Sequence, residues 1–80
     1  MKISVLAFGI AKDITGQRFL DWELGENAKL ADLRAELEAK FPALLELAAL
    51  RLAVNSEYAN GDAVLKENDE VAIIPPVAGG

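Results

Sequence analysis

The stretch Asp69-Glu70-Val71-Ala72-Ile73-Ile74-Pro75-Pro76-Val77-Ala78-Gly79-Gly80 decides how this chain is read. Glu70 to Ile74 has the short, nearly continuous apolar run of a strand covered on both sides. Proline lacks an amide hydrogen and fixes φ, so Pro75 and Pro76 end any ladder and hold the last residues extended. Gly79 and Gly80 have no side chains and fit a narrow channel. Six extended residues reach roughly 20 Å from a sheet, far enough to enter another protein's active site. The expectation is a packed domain over residues 1–74 and a carrier tail over 75–80 that presents its own α-carboxylate. A carboxylate accepts a nucleophile only once its oxygen is made a leaving group. Chemistry at Gly80 therefore calls for activation, most simply adenylation by ATP on a separate enzyme. The acyl group can then pass to a thiol, a sulfide or an amine.

The rest of the composition directs attention to that tail. The chain has 80 residues, the length of one small domain, and is 52% hydrophobic, enough for a packed globule. It has no cysteine, which excludes disulfides, thiolate metal sites and a cysteine nucleophile, and no histidine, the commonest general base and metal ligand. The net charge of −5 disfavours nucleic acid and anionic membranes as partners. No apolar run is long enough to cross a bilayer and the N-terminus lacks a signal-peptide pattern, so the expected compartment is the cytoplasm. No metal or bound cofactor is expected on this chain.

Upstream of the tail, Glu67-Asn68-Asp69 reads as a turn with Asn68 in a left-handed conformation. Ala63 to Leu65 reads as a short strand, and Asn60-Gly61 as the turn within Ser56 to Asp62. Leu50 to Asn55 is a further strand, and Ala43 to Ala49 a short second helical turn after Pro42. The pattern predicts a helix over Ala28 to Lys40, capped by Asn27, with Leu30, Leu33, Leu37 and Phe41 as its apolar stripe. Arg34 with Glu38 and Glu36 with Lys40 are i,i+4 pairs on its wet side. At the start, Lys2 to Ile10 and Arg18 to Leu24 read as a hairpin joined by a turn over Ala11 to Gln17. Ile3, Val5 and Ala7 share one face of the first strand, and Ser4, Leu6 and Phe8 the other.

Strand, strand, helix, strand, short strand, strand is the order of an α+β domain. It implies a mixed sheet of about four to five strands with one main helix across one face and a flexible Gly-Gly tail. The last strand is expected beside the first at the centre, as in the ubiquitin-like β-grasp. Phe8 and Ile74 are apolar and lie opposite the core parity of their strands, so they are candidate partner contacts. Lys12, in the following loop, is a candidate charged contact, and Pro75, Pro76, Val77 and Ala78 are candidates along the arm.

The chain resembles the sulfur-carrier subunits of molybdopterin synthase over essentially its whole length. The Asp69–Gly80 ending is the most specific piece, supported by Val54-Asn55 and by the opening strand through Phe8. Asn68 departs from the glycine usual before the Asp-Glu pair, but asparagine tolerates the same backbone. The resemblance implies that an adenylyltransferase similar to ubiquitin-activating enzymes uses ATP and Mg to activate Gly80. A sulfur donor then converts Gly80 to a thiocarboxylate, with Gly79 beside it in the reacting tail. The large synthase subunit, in a heterotetramer of two small and two large chains, would receive the tail. There the sulfur would pass to cyclic pyranopterin monophosphate on the way to the molybdenum cofactor, with the catalytic side chains on the large subunit. A related carrier for thiazole or tRNA thiolation, or a protein modifier, is the alternative within the same fold.

Overall fold

The computed structural model describes residues 1–47 and 50–75. Five strands form one mixed sheet: β1 (Lys2–Ala7), β2 (Phe19–Glu23), β3 (Arg51–Val54), β4 (Glu57–Tyr58) and β5 (Glu70–Ile74), in the spatial order β2-β1-β5-β3-β4. The last strand lies beside the first, as the sequence leads one to expect. β5 runs parallel to β1, with Val5 opposite Val71 and Ala7 opposite Ile73, and antiparallel to β3, with Ile73 opposite Leu52. β2 pairs antiparallel to β1 and places Leu20 opposite Val5. This is a β-grasp sheet with a single main helix across one face.

That helix, α2 (Leu30–Lys40), buries Leu33 and Leu37 along with Leu30. These side chains join Ile3, Val5, Ala7, Leu52, Val71 and Ile73 in a single core cluster. The helix starts two residues later than its pattern suggests. Asn27 is not the cap: it takes a left-handed turn at φ 63°, a conformation its short polar side chain tolerates. Lys29 caps instead, its backbone N–H donating to the Asp32 carboxylate at 2.8 Å. Backbone bonds from Leu30 to Ala63 (2.8 Å) and from Ala31 to Gly61 (3.1 Å) hold the first turn against the incoming loop. Glycine suits position 61, because a Cβ would stand 3.0 Å from the Ala31 Cβ and would press on the first turn of the helix. Asn60-Gly61 thus serves close packing on the helix.

The Arg34–Glu38 pair forms at 3.2 Å, but Glu36 and Lys40 do not pair. Glu36 accepts the Trp22 Nε1–H at 2.9 Å, and the Lys40 ammonium lies 5.3 Å from the Trp22 ring centroid. Trp22 on β2 offers both groups a partner across the helix–sheet interface. After Phe41 the chain makes a 3-10 turn over Pro42–Glu46, which buries Leu44; Ala48 and Ala49 lie outside the described residues.

The first strand ends at Ala7, and a short helix α1 (Ile10–Thr15) replaces the expected turn. Gly9 makes the break at φ 55°, ψ −130°, a backbone open to glycine and strained for other residues. Ala11 is then buried at the end of the core, while Lys12 stands exposed on α1. β3 and β4 are joined by Asn55-Ser56, both at positive φ, the geometry of a type I′ hairpin. Asn55 ties this hairpin to the entry of β5. Its Nδ2 donates to Asp69 Oδ1 at 2.9 Å, and its Oδ1 accepts the Glu70 N–H at 3.0 Å. The expected strand over Ala63–Leu65 is a single bridge between Val64 and Lys29, with Leu65 in the core. Asn68 is left-handed at φ 68°.

Candidate functional site

Pleating sends alternate residues of each strand to the side away from α2. Read across the sheet from the pairing register, Phe19 (β2), Leu6 (β1), Ala72 (β5), Ala53 (β3) and Tyr58 (β4) form one row. Ile74 sits one step along β5, opposite Arg51. Phe19 is 64% and Tyr58 59% exposed, whereas Leu6, Ala72 and Ile74 are half-buried by their neighbours on the same face. None of these residues belongs to the core cluster, and the buried side chains of both helices do. Among the described residues, the second face of the sheet is therefore uncovered by helix, with an apolar patch around Leu6, Phe19, Ala72 and Ile74 and polar side chains (Ser4, Asp21, Glu70) toward the other end.

Phe8 and Ile74 both lie outside the core cluster and are half-buried. The parallel pairing of β1 and β5 brings their C-terminal ends to the same edge. The antiparallel β2 and β3 begin at that edge. Phe8, Gly9, Arg18, Arg51 and Pro75 are thus neighbours in the fold, although far apart in sequence. A Cβ on Gly9 would stand 3.5 Å from Pro75 Cγ, so the chain leaves β5 in contact with the Gly9 turn. Lys12 is three residues beyond that turn. Pro76, Val77, Ala78, Gly79 and Gly80 lie outside the described residues.

Sequence reasoning misses Phe19, Tyr58, Arg18 and Arg51 at this edge. Phe19 is readable as the outward residue of an alternating strand. The arginines need the cross-strand register. The Arg18 guanidinium lies 5.5 Å from the Phe8 ring centroid, and that of Arg51 lies 4.2 Å from the Tyr58 ring centroid.

Among the described residues, no group of three or more His, Cys, Asp or Glu side chains is placed to hold a metal ion. An open groove of about 600 Å³ between α2 and β3–β4 is lined by Leu30, Leu50 and Leu52, with Arg34 on the helix side and Arg51 and Tyr58 at the β3–β4 edge, where that pair borders both the groove and the open face. Among the described residues it holds no carboxylate. No helix among the described residues is long and apolar enough to cross a membrane.

Known proteins share both the sequence pattern and the fold. The family model described as the ThiS family matches residues 5–80. The molybdopterin synthase sulfur carrier subunit of Chlamydomonas reinhardtii is 40% identical over 83 residues, covering 100% of both chains. A Pyrococcus furiosus structure described as a putative molybdopterin converting factor, subunit 1, superposes with a TM-score of 0.89. It is 29% identical, with 96% of this chain and 99% of that one covered. In a Helicobacter pylori complex of subunits 1 and 2 of molybdopterin-converting factor, the matching chain is 30% identical with a TM-score of 0.72. Coverage there is 100% of both chains. A family match over this length, together with full-length relatives above 30% identity, places the chain in the ThiS family of small β-grasp proteins.

Proposed function

We propose that the chain is the sulfur-carrier subunit of a molybdopterin synthase. The observation that carries this reading is the position of β5. It is the central strand, held by β1 on one side and β3 on the other, and it runs into the tail at Pro75 beside an uncovered apolar face. A carrier needs a rigid base for a slim reactive arm and a surface by which a partner can grip that base. The Chlamydomonas relative and the Helicobacter complex support the same reading.

The cycle is the one that the resemblance to molybdopterin synthase sulfur carriers implies, and a terminal carboxylate has the chemistry for it. The Gly80 carboxylate attacks the α-phosphorus of ATP on the Mg-dependent activating enzyme and releases pyrophosphate. Hydrosulfide then attacks the acyl carbon and expels AMP, which leaves a thiocarboxylate. A persulfide donor reaches the same product through an acyl disulfide whose S–S bond a second thiol cleaves, leaving a disulfide. With Gly79 beside it and Pro75, Pro76, Val77 and Ala78 as the shaft, Gly80 enters the large subunit and gives its sulfur to the pyranopterin substrate. Phe8 and Ile74 form part of the gripping face, and Lys12 stands at its edge. Catalytic side chains belong to the large subunit.

The test is intact-mass measurement after incubation with ATP, Mg, an activating enzyme and a sulfur donor. The expected product has gained one sulfur in exchange for one oxygen at the C-terminus and converts precursor when the large subunit is added. A chain lacking Gly79 and Gly80 should fold, bind the large subunit and transfer nothing. Sulfur transfer by that truncated chain would overturn the reading.

A further inference from the structure

Acidic residues outnumber basic ones by 13 to 8 in this chain, yet the charges are not evenly spread. The edge from which the tail departs carries Arg18 before β2, Arg51 at the start of β3 and Lys12 on α1, with one acid, Asp13, next to Lys12. The opposite edge carries Glu23 at the end of β2, Glu57 after the β3–β4 turn, and Glu67, Asp69 and Glu70 at the entry of β5, against Lys2 and Lys66. The two ion pairs among the described residues are Met1–Glu23 and Arg34–Glu38, so neither Arg18 nor Arg51 is neutralised there by a carboxylate.

Both guanidiniums instead lie against aromatic rings, Arg18 on Phe8 and Arg51 on Tyr58. A guanidinium within cation–π range of a ring, 4.2 Å for Arg51 and 5.5 Å for Arg18, keeps N–H groups available for paired bonds to a carboxylate. The contact also limits the side chain's freedom, so less entropy is lost when a partner engages it. The two pairs stand on either side of β5, one toward β2 and the other toward β4, with Pro75 at the end of β5 between them.

We propose that the Arg18–Phe8 and Arg51–Tyr58 pairs form a two-point electrostatic clamp. It seats the carrier on a partner surface with an apolar centre and a carboxylate on each side of the tail channel. This rests on the carrier reading and names the partner chemistry for the same face. The clamp acts on encounter and orientation: attraction at two points favours the pose that aims the tail into the channel, while the acidic far edge is repelled by the same surface.

The association rate with the large synthase subunit, measured by stopped-flow fluorescence at about 20 mM and about 500 mM NaCl, tests the clamp by spanning weak to near-complete screening. Full-length wild-type chain should associate about tenfold faster at low salt. The double variant Arg18→Gln/Arg51→Gln should lose most of that acceleration, with a several-fold smaller change in dissociation rate. Double lysine replacement should restore the salt slope in part, since charge returns without the planar fork. Lys66→Gln at the far edge should match wild type. A double glutamine variant with the wild-type rate and salt slope, shown folded by circular dichroism, overturns the clamp and leaves the carrier reading standing. Failure of the wild-type chain to bind the large subunit overturns both.

Discussion

On β1, Ile3, Val5 and Ala7 lie under α2 and are at most 1% exposed, while Leu6 and Phe8 on the other face are half-buried with no helix above them. The same contrast runs across β5, where Val71 and Ile73 are enclosed and Ala72 and Ile74 are not. The core face is apolar along its length, whereas the open face is apolar toward the end where β5 meets Pro75 (Leu6, Phe8, Phe19, Ala72, Ile74) and polar toward the other (Lys2, Ser4, Asp21, Glu23, Glu70). One main helix covers one side of a sheet this size, so the two apolar surfaces invite different perturbations.

Breaking the core face should give the largest change. Leu33→Ala removes a fully buried side chain from α2 and should lower unfolding free energy by about 2–5 kcal/mol. Urea denaturation would measure this, with sulfur transfer falling only as the folded fraction falls. The complementary change on the open face is Leu6→Asp. It should alter stability by about 1 kcal/mol or less, since Leu6 lies outside the core cluster. It should weaken binding to the large subunit by about 2 kcal/mol or more, read by calorimetry. If Leu6→Asp unfolds the domain and leaves the affinity of the folded fraction intact, the division between the faces is wrong. The smallest effect concerns how α2 is held on its chosen side. Glu36→Ala removes the acceptor of the Trp22 indole bond, an exposed contact worth about 0.5–1 kcal/mol, and should leave large-subunit binding unchanged.

Much of this division is legible in sequence because it rests on period-two alternation and one strong helical stripe. Ile3 and Val5 against Leu6 and Phe8 announce two apolar faces, and Leu30, Leu33 and Leu37 announce the cover for one. Asn68 is legible because asparagine accepts left-handed backbone. The features that escape are short or non-local. α1 hides because Ile10 and Ala11 extend the apolar run of β1, although Gly9 marks the break. β4 is two residues long, and its turn uses Asn55-Ser56, while the stronger-looking Asn60-Gly61 is spent on approach to Ala31. Asn27 has the chemistry of a helix cap and is used as a left-handed turn. Arg18 and Arg51 become a pair only when β5 is inserted between β1 and β3, which no local pattern reveals. The tail is the reverse case: its chemistry is legible from residue types alone.

The central position of β5 also bears on when the tail becomes useful. Before residues 70–74 are in place, the sheet exists at most as two hairpin-like halves, β2-β1 and β3-β4, with no strand joining them. Closing β1 onto β5 links residues more than sixty positions apart, a high-contact-order step that is slow relative to hairpin formation. The strand that completes the domain is the one that leads into the carrier tail. A chain that has not finished folding therefore lacks a seated β5, an assembled open face and a rigid base for the arm at the same time. An enzyme that recognises the face before activating the tail would discriminate finished carriers from unfinished ones through folding cooperativity alone.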